Sequence, residues 1–214
     1  MAVFLANVGV NAAHRIRSPL RPDGSFELRP IPEKEPWAPP MLRMPALWGE
    51  RAVHLDPDLA GRPPTYGDNC RTAGRAFSLR RARPGDAICF LARLHPDPGP
   101  AGFHLVGLLE VEELRADLTA DPGSGWWDAN AHLRRARACG RWDSFWVFRG
   151  GPGSGLLSSA VPFRRAEAEA TLGDSLRWPE HRSELQTIGS HTRAVRRLTG
   201  PSEAFVRELC RSRS

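Results

Sequence analysis

The stretch Val3–Glu33 joins a short apolar strand to a polar loop, and it constrains the fold more than any other part of the chain. Val3–Leu5 predicts a buried strand that runs directly into a series of hydrogen-bonding side chains. Binding and catalytic groups concentrate in loops that a scaffold strand holds in place. Prolines on both sides of the polar residues fix the backbone φ angle, so we expect a stiff loop. The polar residues are Asn7, Asn11, His14, Arg15, Arg17 and Ser18, and the prolines are Pro19, Pro22, Pro30 and Pro32.

The next residues predict a hairpin followed by an irregular segment. Asp23-Gly24 is a turn signal, and Ser25–Leu28 alternates as a second strand. Residues 33–66 are rich in proline and tryptophan, so we expect this segment to wrap the core without regular structure. A turn is then predicted at residues 66–69, and Asn69 could cap a short helix that ends at Ser78.

Four apolar runs separated by turn residues predict the body of a sheet. Gly107 lies in the middle of one run and favours a bend or a bulge there. The segment Glu112–Ala120 could continue that strand or form a short helix. The predicted strands are Ala87–Ala92, Phe103–Val111, Ser144–Phe148 and Leu156–Phe163.

Helical patterns lie mostly in the C-terminal third, in residues 164–214. The predicted helices are Ala129–Cys139, Arg164–Leu172, Glu184–Leu198 and Ser202–Cys210, the last with Ser202 as its N-cap. Strands that precede helices favour the α+β class. We therefore predict one domain, residues 1–214, built as a small mixed β-barrel with flanking short helices and the Pro/Trp-rich wrapping segment.

The charge of the chain favours polyanionic partners. The net charge is +6 and the isoelectric point is about 10.0. Charge of this kind promotes association and steering and does not determine the fold. Lys34 is the only lysine, so the basic charge is almost entirely arginine. Part of the arginine bias is what a GC-rich genome produces, which weakens it as evidence for nucleic acid.

Other features exclude several classes of protein. Cys70, Cys89, Cys139 and Cys210 are widely spaced and have no histidine at zinc-finger distance, so we expect no metal site and no cofactor. No run approaches the roughly eighteen apolar residues of a membrane helix. The N-terminus lacks the pattern of a secretion signal. We expect a cytoplasmic protein with reduced thiols.

Four segments together resemble a known family. They are residues 5–19 (LANVGVNAAHRIRSP), 23–33 (DGSFELRPIPE), 84–94 (PGDAICFLARL) and 103–113 (FHLVGLLEVEE). This combination is similar to the nucleotide modification associated domain 3 family, and residues 130–132, 145–150 and 188–193 are compatible with it. The pair of central strands also resembles PUA-like barrels, the superfamily of the EVE, YTH and ASCH domains. The resemblance implies a role beside systems that modify or recognise modified bases, without fixing a reaction.

The N-terminal loop is the first candidate site. Asparagine offers a donor and an acceptor on one amide, as bidentate reading of a base edge requires, and Arg17 offers a planar fork for phosphate. The alternative is a hydrogen-bonded loop that only supports the barrel. The candidates in this region are Asn7, Asn11, His14, Arg17, Ser18 and Glu33.

Aromatic and basic residues elsewhere extend the candidate site. A single-stranded base stacks on exposed aromatic rings. Trp126-Trp127 follows a flexible loop, so we expect this pair, more than the other tryptophans, to be exposed, although core packing is the favoured interpretation for any single tryptophan. In the run 145–148, Trp146 alternates with Phe145 and Phe148, so one of these should face outward or into a pocket. Core packing and solvated basic helices are the alternatives. The remaining candidates are Asn130, His132, Ser154, His191 and Arg193.

The sequence supports two functions and a third, simpler one. The first is a nucleic-acid-binding module that recognises a base, modified in our expectation, in DNA or RNA. The second is an enzyme acting on a nucleotide, with His14 paired to Glu33 or His132 paired to Asp128 as acid–base groups. No nucleophile elbow, metal triad or deaminase signature supports catalysis. The third is a partner of proteins in a DNA modification or restriction system.

Overall fold

A computed structural model describes residues 1–10, 16–32, 53–71 and 74–211. The strands are β1 (Val3–Val8), β2 (Ser18–Leu20), β3 (Ile31–Pro32), β4 (Val53–His54), β5 (Thr65–Asp68), β6 (Ala87–Pro96), β7 (Gly102–Leu118), β8 (Phe145–Gly150), β9 (Gly155–Pro162) and β10 (Arg196–Leu198). The main sheet has the order β10-β1-β6-β7-β8-β5, with β2 also paired to β6 and β9 to β7. β3 and β4 form a separate pair. The helices are α1 (Ala131–Cys139), α2 (Arg165–Leu172), α3 (Glu184–His191) and α4 (Pro201–Arg211), with shorter 3-10 helices at Gly74–Arg81, Trp126–Ala129 and Gly173–Ser175.

The antiparallel pair β6–β7 forms the centre of the sheet, as the sequence predicts. Phe90 lies opposite Gly107 while Leu91 lies opposite Leu105, so the register shifts by one residue at Val106. The predicted bulge at Gly107 is therefore confirmed. A side chain at Gly107 would meet Leu59 Cδ1 at 2.5 Å, which explains why glycine is needed in the middle of this strand.

The first two strands lie end to end along β6. β1 runs parallel to β6 as far as the pair Val8–Ala92, and β2 resumes the same pairing at Ser18–Leu94. β1 and β2 thus form one line of strands along β6 that is interrupted opposite Arg93.

The sheet is curled, and its two faces have different partners. On the inner face, Tyr66 of β5 contacts Phe90 of β6 edge to face, with ring centroids 5.1 Å apart, although two strands separate them in the sheet. The other face is covered by the C-terminal helices, which contribute Ala168, Ile188 and Val206 to a second buried cluster. Burial of these apolar faces is the main force that holds the layers together.

Several predicted elements are wrong in type or extent. Residues 66–68 of the predicted turn belong to β5, because pairing with β8 from Thr65–Arg149 to Asp68–Trp146 overrides their turn-like composition. Ser25–Leu28 forms only one isolated bridge, between Phe26 and Leu20. The predicted last two helices also change. Helix α3 ends at His191, β10 follows it, and α4 begins at Pro201, so Ser202 is not its cap.

The predicted α+β class is confirmed. Helix α1 begins after Asn130, whose side chain accepts the amide proton of His132 as an N-cap does. Residues 33–52 of the predicted wrapping segment lie outside the described residues. No pairing between β5 and β10 closes the sheet in the part of the chain that is described, so the PUA-like barrel stays a prediction. None of the described helices is both long and apolar enough to cross a membrane.

Candidate functional site

A cavity opens where β1 ends beside β6. Its volume is about 460 Å³, within the roughly 300–1,000 Å³ of typical ligand pockets. The carboxyl ends of parallel strands are a common place for ligand sites in α/β sheets, and β1 and β6 provide such an edge here. The described residues that line the cavity are Asn7, Val8, Gly9, Val10, Arg75, Arg93, Phe103, Gly189 and Arg193, and none of them is acidic.

Three arginines from three different elements make the cavity cationic. Arg93 comes from β6, Arg75 from the Gly74–Arg81 helix and Arg193 from the segment after α3. The Nε atom of Arg93 is buried and has no hydrogen-bond partner among the described residues. A buried donor without a partner costs about 1–3 kcal/mol, so an anion bound here would remove an existing penalty.

Asn7 offers an amide in a fixed orientation. The hydroxyl of Thr192 donates to the carbonyl of Ile188 at 2.8 Å, so its oxygen is left to accept from Asn7 Nδ2 at 3.3 Å. This assigns the amide nitrogen to the side of Thr192. Thr192 is fully buried at the end of α3, which anchors the arrangement. Asn7 therefore presents its oxygen and its second N–H as an acceptor–donor pair, the chemistry that base-edge recognition requires.

A buried carboxylate connects the cavity to β5. Asp68 is 3% exposed and accepts hydrogen bonds from the Tyr66 hydroxyl at 2.9 Å and from the Asn69 amide at 2.8 Å. Arg75 lies 3.4 Å from both of its oxygens. The charge of Asp68 raises the pKa of Arg75 above its usual value, so this guanidinium stays charged in the cavity wall.

A second acidic group behind β5 holds His132. The Nε2 atom of His132 lies 3.0 Å from Asp56 Oδ2, and the other oxygen of Asp56 accepts the Gly67 amide proton at 3.0 Å. Burial would lower the pKa of His132, but the hydrogen bond and charge of Asp56, with Asp68 further off, outweigh it and raise that pKa. His132 is thus a half-buried hydrogen-bonded partner of Asp56 and does not line the cavity.

Comparison with known proteins gives one decisive result. The model of the family described as nucleotide modification associated domain 3 matches residues 2–205. The chain belongs to the nucleotide modification associated domain 3 family. Neither the curated proteins nor the solved structures contain a significant match. The likeness to PUA-like proteins is not confirmed by these comparisons.

In this member of the nucleotide modification associated domain 3 family, the cavity brings together two of the predicted site residues that the structure describes, Asn7 and Arg193. Arg17 is exposed near His95, whose pKa it helps to lower after the larger effect of burial. Ser18 is buried and accepts the amide proton of Arg29 at 3.1 Å, which fixes the backbone of the loop. Asn11, His14 and Glu33, and with them the predicted His14–Glu33 pair, lie outside the described residues.

Two more predicted residues, Ser154 and His191, make hydrogen bonds with neighbouring segments. Ser154 accepts the amide proton of Glu110 at 2.9 Å, which ties the glycine-rich turn to β7. His191 ends α3, and its carbonyl accepts a hydrogen bond from the side chain of Arg196. Both side chains are half-buried.

The predicted exposure of the tryptophans is wrong. Trp127 is 7% exposed, its indole N–H donates to the Gly123 carbonyl at 2.8 Å, and the guanidinium of Arg115 lies 4.3 Å from the ring centroid. Trp126 packs edge to face on Trp127 and is half-buried.

The strand β8 is also buried on both faces. Trp146 and Phe148 lie in the inner core, while Phe145 packs on the opposite face with Leu133 of α1. The prediction that one aromatic of this strand faces outward or into a pocket is wrong, because α1 covers the second face.

The predicted partner of His132 is also wrong. Asp128 accepts from the Gly125 amide at 3.1 Å and from Arg137 at 3.0 Å, so it stabilises the turn before α1. The true partner, Asp56, lies 76 residues away from His132 in sequence, and no local pattern could identify it.

Sequence reasoning missed Arg75, Arg93 and Phe103 of the cavity. The signal for Arg93 was present, because an arginine inside the apolar strand β6 needs an anionic partner or a cavity. Arg75 gave no such signal, because its short helix contains two further arginines and nothing in the sequence distinguishes Arg75 from them.

Proposed function

We propose that this chain is a nucleic-acid-binding module of a nucleotide modification system, which takes one base and its phosphate into the cavity of Asn7, Arg75, Arg93 and Arg193. Membership of the nucleotide modification associated domain 3 family supports the context. The cavity supports the activity. Its partners are then DNA or RNA and, through the system, proteins of modification or restriction. Its four cysteines are present as thiols, which is compatible with a reducing cytoplasm.

One observation carries this proposal: an oriented amide and three guanidinium groups share one partly apolar cavity. Arginine forks match phosphate oxygens in pairs. The amide of Asn7 can exchange two hydrogen bonds with the edge of a base. Val8, Val10 and Phe103 provide the apolar contact that excludes water from these polar interactions.

A modified base is the target that the apolar wall favours. A methyl group added to a base would contact Val8, Val10 or Phe103, and each buried methyl contributes about 0.8 kcal/mol. The curled inner face of the sheet, with Tyr66 packed on Phe90, supports the PUA-like interpretation of the fold. Domains of this kind would hold the base at the open end of the curled sheet.

Binding of short oligonucleotides tests the proposal. We would compare unmodified strands with strands that carry one methylated cytosine or adenine, at several salt concentrations. Added salt weakens phosphate contacts but has little effect on base contacts. The ratio of affinities for modified and unmodified strands should therefore stay nearly constant while both affinities fall. Asn7→Ala should reduce the selectivity for the modified strand. Arg193→Ala should weaken the binding of every strand and make the slope of log affinity against log salt concentration less steep by about 0.7.

The matched control is Arg182→Ala, an exposed arginine that precedes α3 and does not line the cavity. This variant should leave selectivity unchanged. Equal affinity for every strand, with no effect of Asn7→Ala, would contradict base recognition in the cavity.

An enzyme acting on a nucleotide is the second candidate, because Asp56 gives His132 an orienting carboxylate at 3.0 Å. Asp56 is buried, His132 is half-buried and neither lines the cavity, which favours a structural role for the pair. Turnover of a nucleotide by the purified protein that His132→Gln abolishes, with the fold intact, would support the enzyme instead.

A further inference from the structure

We infer that a surface next to the cavity, formed by the described residues of two segments, 69–85 and 187–202, and here called the arginine surface, holds a single strand of nucleic acid. It binds the phosphates that flank the captured base and stacks one neighbouring base on Phe77. The inference rests on the proposed function, which it deepens by naming a polynucleotide strand, and not a free nucleotide, as the ligand.

The charge of the arginine surface is the first support. The two segments contain no acidic residue and eight arginines, more than the net charge of +6 of the whole chain. The rest of the protein therefore has a small net negative charge, and the positive charge is concentrated here although Arg71 pairs with Asp117 at 3.6 Å and Arg75 with Asp68 at 3.4 Å. Such a concentration is the usual electrostatic footprint of a nucleic-acid site. The arginines are Arg71, Arg75, Arg80, Arg81, Arg83, Arg193, Arg196 and Arg197.

The two segments form one continuous surface in the fold. The amide of Val195 donates to the carbonyl of Arg75 at 2.7 Å, and the hydroxyl of Ser78 donates to the carbonyl of Val195 at 2.8 Å. These bonds fix the Gly74–Arg81 helix against the chain between α3 and β10. Neighbouring arginines are thereby held together in spite of their mutual repulsion.

Phe77 is an exposed aromatic ring on this surface. Ala76 and Leu79 of the same helix are fully buried, which leaves Phe77 on the outer side with 52% of its surface exposed. The guanidinium of Arg80 lies 4.8 Å from the centroid of its ring and 5.9 Å from that of Trp146. Single exposed apolar residues are common, but a ring stabilised by an arginine beside basic neighbours has the features of a base-stacking platform.

The arginine surface and the cavity share residues. Arg75 and Arg193 belong to both, so a strand can run from the captured base onto Phe77 without crossing neutral protein. The bases of a duplex are covered by their neighbours and cannot stack on Phe77. The ligand must therefore be single-stranded at this point.

The test compares a strand with a mononucleotide. We would measure the affinity of the full chain for single strands of about ten nucleotides, as DNA and as RNA, for the matching duplex, and for the corresponding methylated and unmethylated mononucleotides. Phe77→Ala should weaken single-strand binding about fivefold or more. It should leave mononucleotide binding unchanged, and Phe77→Trp should restore the strand affinity.

Two further variants separate charge from stacking. Arg81→Ala should make the slope of log affinity against log salt concentration less steep by about 0.7 for single strands, the change expected when one phosphate contact is lost. Leu156→Ala removes another exposed apolar side chain, 44% exposed on β9, and should have no effect. Tighter binding of DNA than of RNA, or the reverse, would identify the natural strand.

Each failure has a distinct meaning. Equal strand affinity in the wild type and Phe77→Ala, or tighter binding of the duplex than of the single strand, would overturn the inference. If Asn7→Ala and Arg193→Ala left mononucleotide binding unchanged, the proposed cavity would be wrong, while a Phe77-dependent strand site would still stand.

Discussion

The guanidinium of Arg75 lies 3.4 Å from both carboxylate oxygens of Asp68, and the same side chain lines the cavity. One arginine therefore neutralises a buried carboxylate and presents positive charge to a ligand. This arrangement couples the stability of β5 to the electrostatics of the cavity. It also explains how a strand as short as Thr65–Asp68 can bury both the hydroxyl of Tyr66 and the carboxylate of Asp68.

Asp68→Asn should destabilise the protein by about 2–4 kcal/mol, because it removes one partner of an ion pair and leaves donors of Tyr66 and Asn69 facing an amide. Chemical denaturation measures the free energy of unfolding. Asp174→Asn, which changes an exposed carboxylate after α2, is the control and should be neutral. A loss below about 0.5 kcal/mol for Asp68→Asn, typical of surface substitutions, would contradict the importance of the buried carboxylate.

Gly67→Ala should destabilise β5 against α1. A Cβ atom there would lie 2.7 Å from His132 Cδ2 and 2.9 Å from Asn130 Oδ1, so the side chains that hold the start of α1 must move. We expect a loss of about 1–3 kcal/mol. Gly155→Ala, at a position with nothing within 4 Å of the added carbon, is the matched control. Equal melting temperatures for the two variants would show that this close approach is not tight.

Thr192→Val should lower base selectivity without changing the salt slope, because it frees the amide of Asn7 and leaves the arginines in place. It should also cost about 1–2 kcal/mol of stability, since two hydrogen bonds are lost. The control is Thr187→Val in the same helix, where the buried hydroxyl has no partner among the described residues. That change should be neutral or stabilising. Unchanged selectivity in Thr192→Val would contradict a role for the oriented amide.

The His132–Asp56 pair should make stability depend on pH. The pKa of His132 is raised above 6.5, so protons bind more tightly in the folded state. The stabilisation is complete below pH 6.5 and is lost as the pH rises through the raised pKa.

The difference in unfolding free energy between the wild type and His132→Gln isolates this effect. His104 has a lowered pKa, caused mainly by burial, and its contribution of opposite sign cancels in the difference. We expect a larger difference at about pH 5.5 than at about pH 8.5. A difference that is flat or grows with pH would contradict the charged pair.

Strong local patterns were sufficient to predict much of the fold. β1, β6 and β7 follow from apolar runs bounded by turn residues, and the bulge follows from a glycine inside a strand. Helix α1 follows from the helical pattern of residues 129–139. Each of these depends on the nearest residues alone, so the sequence contains the necessary information.

Features that depend on distant partners could not be predicted. β5 has the composition of a turn, and only its pairing with β8 makes it a strand. Asp56 reaches His132 because β5 and α1 pack together. In the candidate site, Asn7 and Arg193 were predicted for their chemistry, but their meeting with Arg75 and Arg93 depends on tertiary packing.

The most direct test of the central claim is to map chemical shifts in the labelled protein during titration with the methylated mononucleotide that binds best. We expect the largest chemical-shift changes at the side-chain Nε–H groups of Arg75, Arg93 and Arg193 and at the backbone amides of Gly9 and Gly189. These groups line the cavity at the end of β1. Changes concentrated instead at a different cavity, lined by Glu110, Glu203 and Arg207 among others, or the absence of any saturable change, would contradict binding at the end of β1.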